Sequence, residues 1–374
     1  MRSSRVEPNA RARGASPGRA VLGGRRAAGV VDHVVLSEPG AHLDGGFWAV
    51  VGDFEGVVHA WRFAEVSPTA AEPGAGPRPA PAWRGPARDT WVSTLDRPEY
   101  LAGVEAVRAA VRDGDVYQVN LCRVLSAPLP GRPGAEPDAQ ALADGLAVGN
   151  PAPYAGWVHV PVASPEPGRP AEPVPGVWVV TASPELFLRV GEGLVTSGPI
   201  KGTAATADGL TTKDRAENVM IADMVRNDLQ RVCGPGTVEV VDLLALEHHP
   251  GLVHLVTTVQ GRLEHPQPDW SALLAATYPP ASVSGAPKQS ALGVIRRLEP
   301  EPRGPYCGAV GWIDADEGRA ELAVGIRTFW WTPAEGGTLR FGTGAGITWA
   351  SDPAAEWAET ELKAARLVSL ASDT

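Results

Sequence analysis

The hydrophobic pattern along this chain alternates between a period of two and a period of three to four, and those switches predict its elements. Short apolar runs over Gly46–Val51 and Gly56–Trp61 flank Gly52-Asp53-Phe54-Glu55 and predict a β-hairpin. From Arg97 to Arg112, Leu101, Val104, Val107 and Val111 fall near one helical face, and Gly114 ends the helix. Asp115–Leu121 alternates as a strand, with Gln118 and Asn120 on the side opposite Tyr117, Val119 and Leu121. A helix over Asp138–Ala147 and strands over Tyr154–Val160, Val177–Thr181 and Leu186–Val190 follow. Gly198–Thr203 reads as a tight Pro/Gly turn carrying Lys201, and Asp214–Arg231 as a helix capped by Thr211 or Thr212. Strands over Val238–Leu244 and Leu252–Val259 precede helices over Trp270–Thr277 and Lys288–Leu298. Strands over Cys307–Asp314, Arg319–Trp331 and Thr338–Phe341 then lead to an amphipathic helix over Pro353–Leu370. Strands outnumber helices, neighbouring pairs read as hairpins, and regular βαβ alternation is missing, so the fold class is α+β.

Composition bounds this picture without changing its class. The 374 residues are 44% hydrophobic and 20% charged, ordinary for a globular chain with a sizeable core. Residues 1–28 hold seven arginines against one acid and no apolar h-region, so they read as a disordered Arg-rich tail, not a secretory signal. Residues 29–91 then form a short β segment and a Pro-rich linker (Ser67–Arg88), and 92–372 one catalytic domain with a Pro-rich insert at Pro161–Pro175. A net charge of −10 argues against nucleic-acid partners or an anionic membrane surface. No apolar run reaches membrane-spanning length. Three cysteines without CxxC spacing suit a reducing cytoplasm and offer no zinc site.

Several positions carry candidate chemistry. Asp214 and Glu217 are three apart on one predicted helix, as are Glu356 and Glu359 on another, so each pair shares a helix face. Brought together they suit Mg²⁺, which prefers oxygen ligands and bridges to anionic substrates; kept apart, they are solvated faces paired with Lys213, Arg215 and Lys363. The glycine-rich GTGAG (342–346) and SVSGAPK (282–288) precede predicted helices, where backbone N–H groups bind anions or simply turn the chain. Arg327 lies in the apolar strand VGIRT (324–328), which calls for an anionic partner, either a substrate carboxylate or an internal acid. His254, within LVHL (252–255), is either a catalyst or a satisfied core residue. Glu185, after Ser183-Pro184, is either a carboxyl projecting into a cleft or a solvated turn residue.

In order along the chain, these stretches resemble the chorismate-utilising enzymes: anthranilate synthase component I, aminodeoxychorismate synthase component I, and the isochorismate and salicylate synthases. The matching motifs are DVYQVNLCR (115–123), SPELFLRV (183–190), GPIKGT (198–203) and DRAENVMIADMVRNDLQRV (214–232). They continue with LVHLVTTVQG (252–261), SVSGAPK (282–288), YCGAVGW (306–312), VGIRT (324–328) and GTGAGITWASDPAAEWAETELKA (342–364). The resemblance covers about residues 92–372. It implies a TrpE-like fold of two mostly antiparallel sheets packed between helices, with an Mg²⁺-dependent chorismate site. It further implies Glu217 and Glu359 as direct metal ligands, and Asp214 and Glu356 as ligands through water. Arg327, Tyr306 and Lys363 would hold substrate carboxylates, with Gly202, Ser282, Gly344 and Gly346 as backbone or turn contacts. Glu185 would protonate the departing 4-hydroxyl, and His254 would lie near the reacting ring.

Two positions separate the branches. The isochorismate and salicylate synthases carry a general-base lysine where this chain has Gln118. Anthranilate synthases usually read PIAGT, whereas this chain reads PIKGT with Lys201, the mark of the aminodeoxychorismate-forming branch. The resemblance thus implies 4-amination of chorismate through a Lys201 adduct, the alternatives being an anthranilate synthase component I-like activity or an inactive chorismate-binding paralogue. Glutamine-derived ammonia would come from an amidotransferase partner, since the chain carries no glutaminase signature.

Overall fold

The structure is a computed structural model that describes residues 16–69, 83–131, 135–162, 174–204, 206–249 and 252–373. In chain order, the first strands are β1 (Ser16–Leu22), β2 (Arg25–Val35), β3 (Phe47–Gly52), β4 (Val58–Pro68) and β5 (Val92–Ser93). Helix α1 (Arg97–Arg112), β6 (Gln118–Pro128), α2 (Ala139–Gly149), β7 (Tyr154–Val160) and β8 (Val177–Ser183) follow. Next come β9 (Leu186–Gly191), β10 (Leu194–Gly198), β11 (Ile200–Ala204), α3 (Thr212–Leu229), β12 (Glu239–His249) and β13 (Leu252–Arg262). The chain then runs through α4 (Trp270–Thr277), β14 (Gly285–Ala286), α5 (Lys288–Leu298), β15 (Ala309–Asp314) and β16 (Arg319–Val324). It finishes with β17 (Thr328–Thr332), β18 (Thr338–Ile347) and α6 (Pro353–Ala371).

Every pairing between these strands is antiparallel, and the pairs form two arms. One runs β12-β13-β10-β9-β16-β15-β3-β4-β2, with β11 also on β13. The other runs β1-β7-β8-β17-β18-β6, with β5 and β14 on the far edge of β6. Strand β1 pairs with both β2 and β7 and so joins the arms into one hydrogen-bonded ribbon. The larger core gathers side chains of both arms, among them Val50, Leu188, Val119, Leu121 and Ile347, with α1, α3, α4 and α5 against it. A second core, around Trp178, Phe329 and Phe341, is covered by α2 and α6. This is the α+β arrangement of antiparallel sheets packed with helices.

Four expectations need correction. Residues 1–15 lie outside the described residues, but Ser16–Ala28 is paired strand and not tail, because Ala20, Leu22 and Ala27 find buried positions between the arms. Residues 29–91 are no separate segment: β3 pairs with β15 over six residues, since a short β unit cannot bury its faces alone. (Residues 70–82 of the expected linker and 163–173 of the Pro-rich insert lie outside the described residues.) Lys201 is on strand β11, not in a turn. The expected single strand over Arg319–Trp331 is two, broken at Gly325-Ile326-Arg327 with Arg327 at φ +52°.

Candidate active site

The break before Arg327 has a counterpart on the neighbouring strands. At Ser183-Pro184-Glu185 the chain leaves β8 in one arm for β9 in the other; at Gly325–Arg327 it leaves β16 for β17 in the opposite sense. The crossovers lie side by side, Val324 N–H donating to Glu185 O at 3.0 Å and Ala182 N–H to Arg327 O at 3.0 Å. Paired strand breaks free side chains from the alternating pleat, and here they hold Glu185 and Arg327 where the arms meet.

Glu185 is buried, and its Oε1 has no hydrogen-bond partner among the described residues. Burial raises its pKa to about 7, against the opposing pull of a Ser282 hydrogen bond, the Lys201 charge and the Ile200 backbone N–H. The solvated-turn reading is therefore excluded. Beside it lies a cavity of about 20 Å³ lined by Glu185, Ser197, Asp228 and Ser282, room for a water and not for a substrate.

Burial also lowers the pKa of Lys201, while the charges of Glu217 and Glu185 pull it back up. The positive φ of Gly202 (+91°) lets β11 pass close to α3, where a Cβ would stand 2.8 Å from Asp214 Cβ. A Cβ on Gly346 would stand 3.5 Å from Lys201 Nζ and overlap Gln118 Nε2. Gln118 is itself buried, with Oε1 unpartnered among the described residues. Lys201, Gln118 and Gly346 thus meet, and glycine at 346 makes the room. The GTGAG stretch is not an anion-binding loop before a helix, as its composition suggests, but the end of β18. Its glycines admit neighbours instead: Tyr306 fills the space over Gly342, and Cys122 that over Gly344.

Arg327 has no ion-pair partner among the described residues, and burial alone lowers its pKa. No acid among the described residues answers it, leaving a partly desolvated cation at the crossover. Lys363 reaches the same region from α6, donating to Gly344 O at 3.0 Å and pairing with Glu359 at 2.6 Å. Tyr306 is less available than expected: it is buried, with its hydroxyl 3.8 Å from Cys122 Sγ, so it forms a floor under β18. His254 is buried on β13, opposite Thr203 of β11 and Glu247 of β12.

The carboxylates of α3 and α6 do face each other. Lys213 bridges Glu217 at 3.7 Å and Glu356 at 3.5 Å, and both acids are largely buried, so neither helix face is merely solvated. Burial raises the Glu217 pKa, and its Oε1 lacks a hydrogen-bond partner among the described residues. Asp214 is engaged differently: its Oδ2 accepts from Thr211 N–H at 2.8 Å and Thr211 Oγ1 at 2.7 Å, closing a capping box on α3. As they stand, no three potential ligands among the described residues converge tightly enough to enclose an ion. The donor set nevertheless fits a hard dication: it is all carboxylate, buried in part, with an orphaned oxygen on Glu217 and lysine ammonium groups between the acids.

Two buried ion pairs went unread in the sequence. Lys288 of SVSGAPK donates to Asp228, Thr277 O and Pro279 O, so its amine serves packing and not an anion. Arg303 pairs with Glu299, four residues apart in a Pro-rich stretch that carries no periodic signal.

Comparison with known proteins places the chain in a family. The family described as chorismate binding enzyme matches residues 59–369. The chain is 35% identical over 291 residues to anthranilate synthase component 1 of Streptomyces coelicolor, covering 75% of this chain and 52% of that protein. It is 34% identical over 291 residues to aminodeoxychorismate synthase component 1 of Klebsiella aerogenes, covering 74% of this chain and 59% of that one. The chain therefore spans only a little over half the length of these relatives. Among solved structures, the menaquinone-specific isochorismate synthase from Escherichia coli superposes with a TM-score of 0.73 at 18% identity, covering 95% of this chain and 88% of that one, a likeness of fold. A family match across five-sixths of the chain shows that this chain belongs to the chorismate-utilising enzymes.

Proposed function

We propose that the chain aminates chorismate at C4, giving 4-amino-4-deoxychorismate for 4-aminobenzoate and folate synthesis. The observation that carries this reading is the desolvated Lys201 amine beside Gln118, Gly346 and Glu185. Burial favours the neutral, nucleophilic amine, and Gln118 offers no base to activate water at C2. Lys201 Nζ bonds to C2 as both ring double bonds shift by one position toward C4 and the C4–O bond breaks. Glu185, protonated up to about pH 7, gives its proton to the departing hydroxyl, which leaves as water. Ammonia then bonds to C4 as the C2–Nζ bond breaks, and the proton it sheds restores Glu185. Arg327 and Lys363 hold the carboxylates. Glu217 and Glu359, with Glu356 and Asp214 acting through water, would hold Mg²⁺, which would supply charge neutralisation of the substrate carboxylates when bound. Ammonia comes from a glutamine amidotransferase partner, with free ammonia as a substitute. We place the enzyme in the cytoplasm; no described helix is long and apolar enough to cross a membrane.

Purified chain with chorismate, Mg²⁺ and ammonia should yield 4-aminobenzoate once a lyase is added, and anthranilate as the main product would overturn the assignment. Lys201→Ala should abolish C4 amination, any residual activity moving to the C2 product; an unchanged product and rate would remove Lys201 from the mechanism. Relatives named anthranilate synthase match as well as those named aminodeoxychorismate synthase, so C2 amination is the second reading, and the same assay separates them.

A further inference from the structure

Strand β6 lines the site through Gln118, yet much of its outer edge has no strand beside it. Strand β14 pairs with it at Gln118 and Val119, and β5 at Leu125 and Ser126. Between those points the Glu299–Arg303 pair meets two of the strand's backbone groups. Arg303 Nη2 donates to Asn120 O at 2.7 Å, and Glu299 Oε1 accepts from Cys122 N–H at 2.9 Å. The two side chains are themselves paired twice, Arg303 Nε to Glu299 Oε2 at 2.7 Å and Nη2 to Oε1 at 2.6 Å. Arg303 Nη1 reaches Val283 O at 2.9 Å, and the guanidinium lies 4.0 Å from the Phe54 ring centroid. Arg303 is only 1% exposed.

Burying such a pair costs more desolvation than an apolar pair would, so its use is geometric before it is energetic. One planar fork ties β6 to the Ala281–Val283 turn, and each carries a site residue one or two positions away: Gln118 on β6, and Ser282, which lines the same small cavity as Glu185, on the turn. We infer that Arg303 and Glu299 are positioning residues for the chorismate site, fixing Gln118 and Ser282 against Lys201 and Glu185. The inference rests on the reading of those four side chains as the reacting end of the site.

Its test compares chorismate consumption by the full chain, with Mg²⁺ and ammonia, across chorismate concentration and pH. The variants are Arg303→Met with Glu299→Leu, which removes both charges and strands neither, and Arg303→Lys. An ammonium keeps the charge but cannot serve Asn120 O, Val283 O and both Glu299 oxygens in one plane. Both variants should fold and lose tenfold or more in kcat with KM changed less than threefold. The Glu185 limb of the pH profile should move upward as Ser282 loosens. A folded variant with wild-type kcat and pH profile overturns the inference, as does an effect confined to melting temperature. If the double variant does not fold, Arg303→Lys decides; if neither folds, the pair is a folding element and the inference fails. Product identity is read on the unaltered chain, so anthranilate there would sink the C4 reading while leaving the rate comparison intact.

Discussion

Glu185 shows how a single side chain divides its work between folding and chemistry. Its folded pKa, about 7, lies above that of an unfolded glutamate, so the folded chain holds the extra proton between about pH 4.5 and 7. Stability therefore falls as pH rises through that window and stays reduced above it, by at most about 3 kcal/mol. Glu185→Gln removes the buried charge and should raise stability at pH 8 by about 1–3 kcal/mol, read by denaturant unfolding. The same substitution removes the acid and should lower kcat by about 10²–10⁴. A variant both less stable and fully active would contradict the assignment. In the unaltered enzyme kcat/KM should fall as pH rises past about 7. Arg327 poses the complementary case, a partly desolvated cation with no acid to satisfy it among the described residues. Arg327→Met should leave the melting temperature nearly unchanged and lower kcat/KM for chorismate by about 10²-fold, because a charge-assisted hydrogen bond to substrate is what it loses.

At the scale of elements, glycine decides how closely the strands approach. A Cβ at position 342 would fall within the Tyr306 ring, so Gly342→Ala must displace a buried aromatic under β18. The expected cost is about 1–3 kcal/mol, seen as a lower denaturation midpoint, with Lys363 and Gly346 shifted alongside the same strand. Helices were the legible elements: the Arg97–Arg112, Trp270–Thr277 and Lys288–Leu298 spans hold, because periodicity and caps are local. The GTGAG and PIKGT stretches misled because Gly and Pro locally signal turns, whereas here the partners β6 and β13 keep them extended. Strand β6 begins at Gln118 and not at Asp115, and it shows no in–out alternation since Gln118–Val124 are all buried. A strand covered on both faces erases that signal. The site followed the same division. Single residues such as Glu185 and Lys201 stood out in their motifs, while the Glu299–Arg303 and Asp228–Lys288 pairs depend on long-range contacts that no sequence window contains.

The whole molecule depends on a strand that the sequence did not mark. The crossovers that carry Glu185 and Arg327 sit where the two arms meet, and β1 is the piece of backbone that pairs with both. Its alternating Ala20 and Leu22 are buried, and Gly23 turns at φ +53° against Trp312, which also carries the Arg25 guanidinium 4.8 Å from its ring centroid. Without β1, the edges of β2 and β7 would be unpaired and the larger core would open along the seam between the arms. A chain lacking residues 1–22 should therefore melt lower by about 10 °C or more and aggregate on concentration, as judged by calorimetry and light scattering. Ala20→Asp tests the same seam without shortening the chain. Ala20 faces Val158 with no exposure, so a carboxylate there would have no water and should cost about 2–4 kcal/mol. If the arms act as one unit, that loss should come with weaker chorismate turnover although position 20 touches no site residue, since the registration of one arm on the other helps place the crossovers that carry Glu185 and Arg327. A destabilised Ala20→Asp enzyme with unchanged kcat and KM below its melting point would show instead that the crossovers hold themselves.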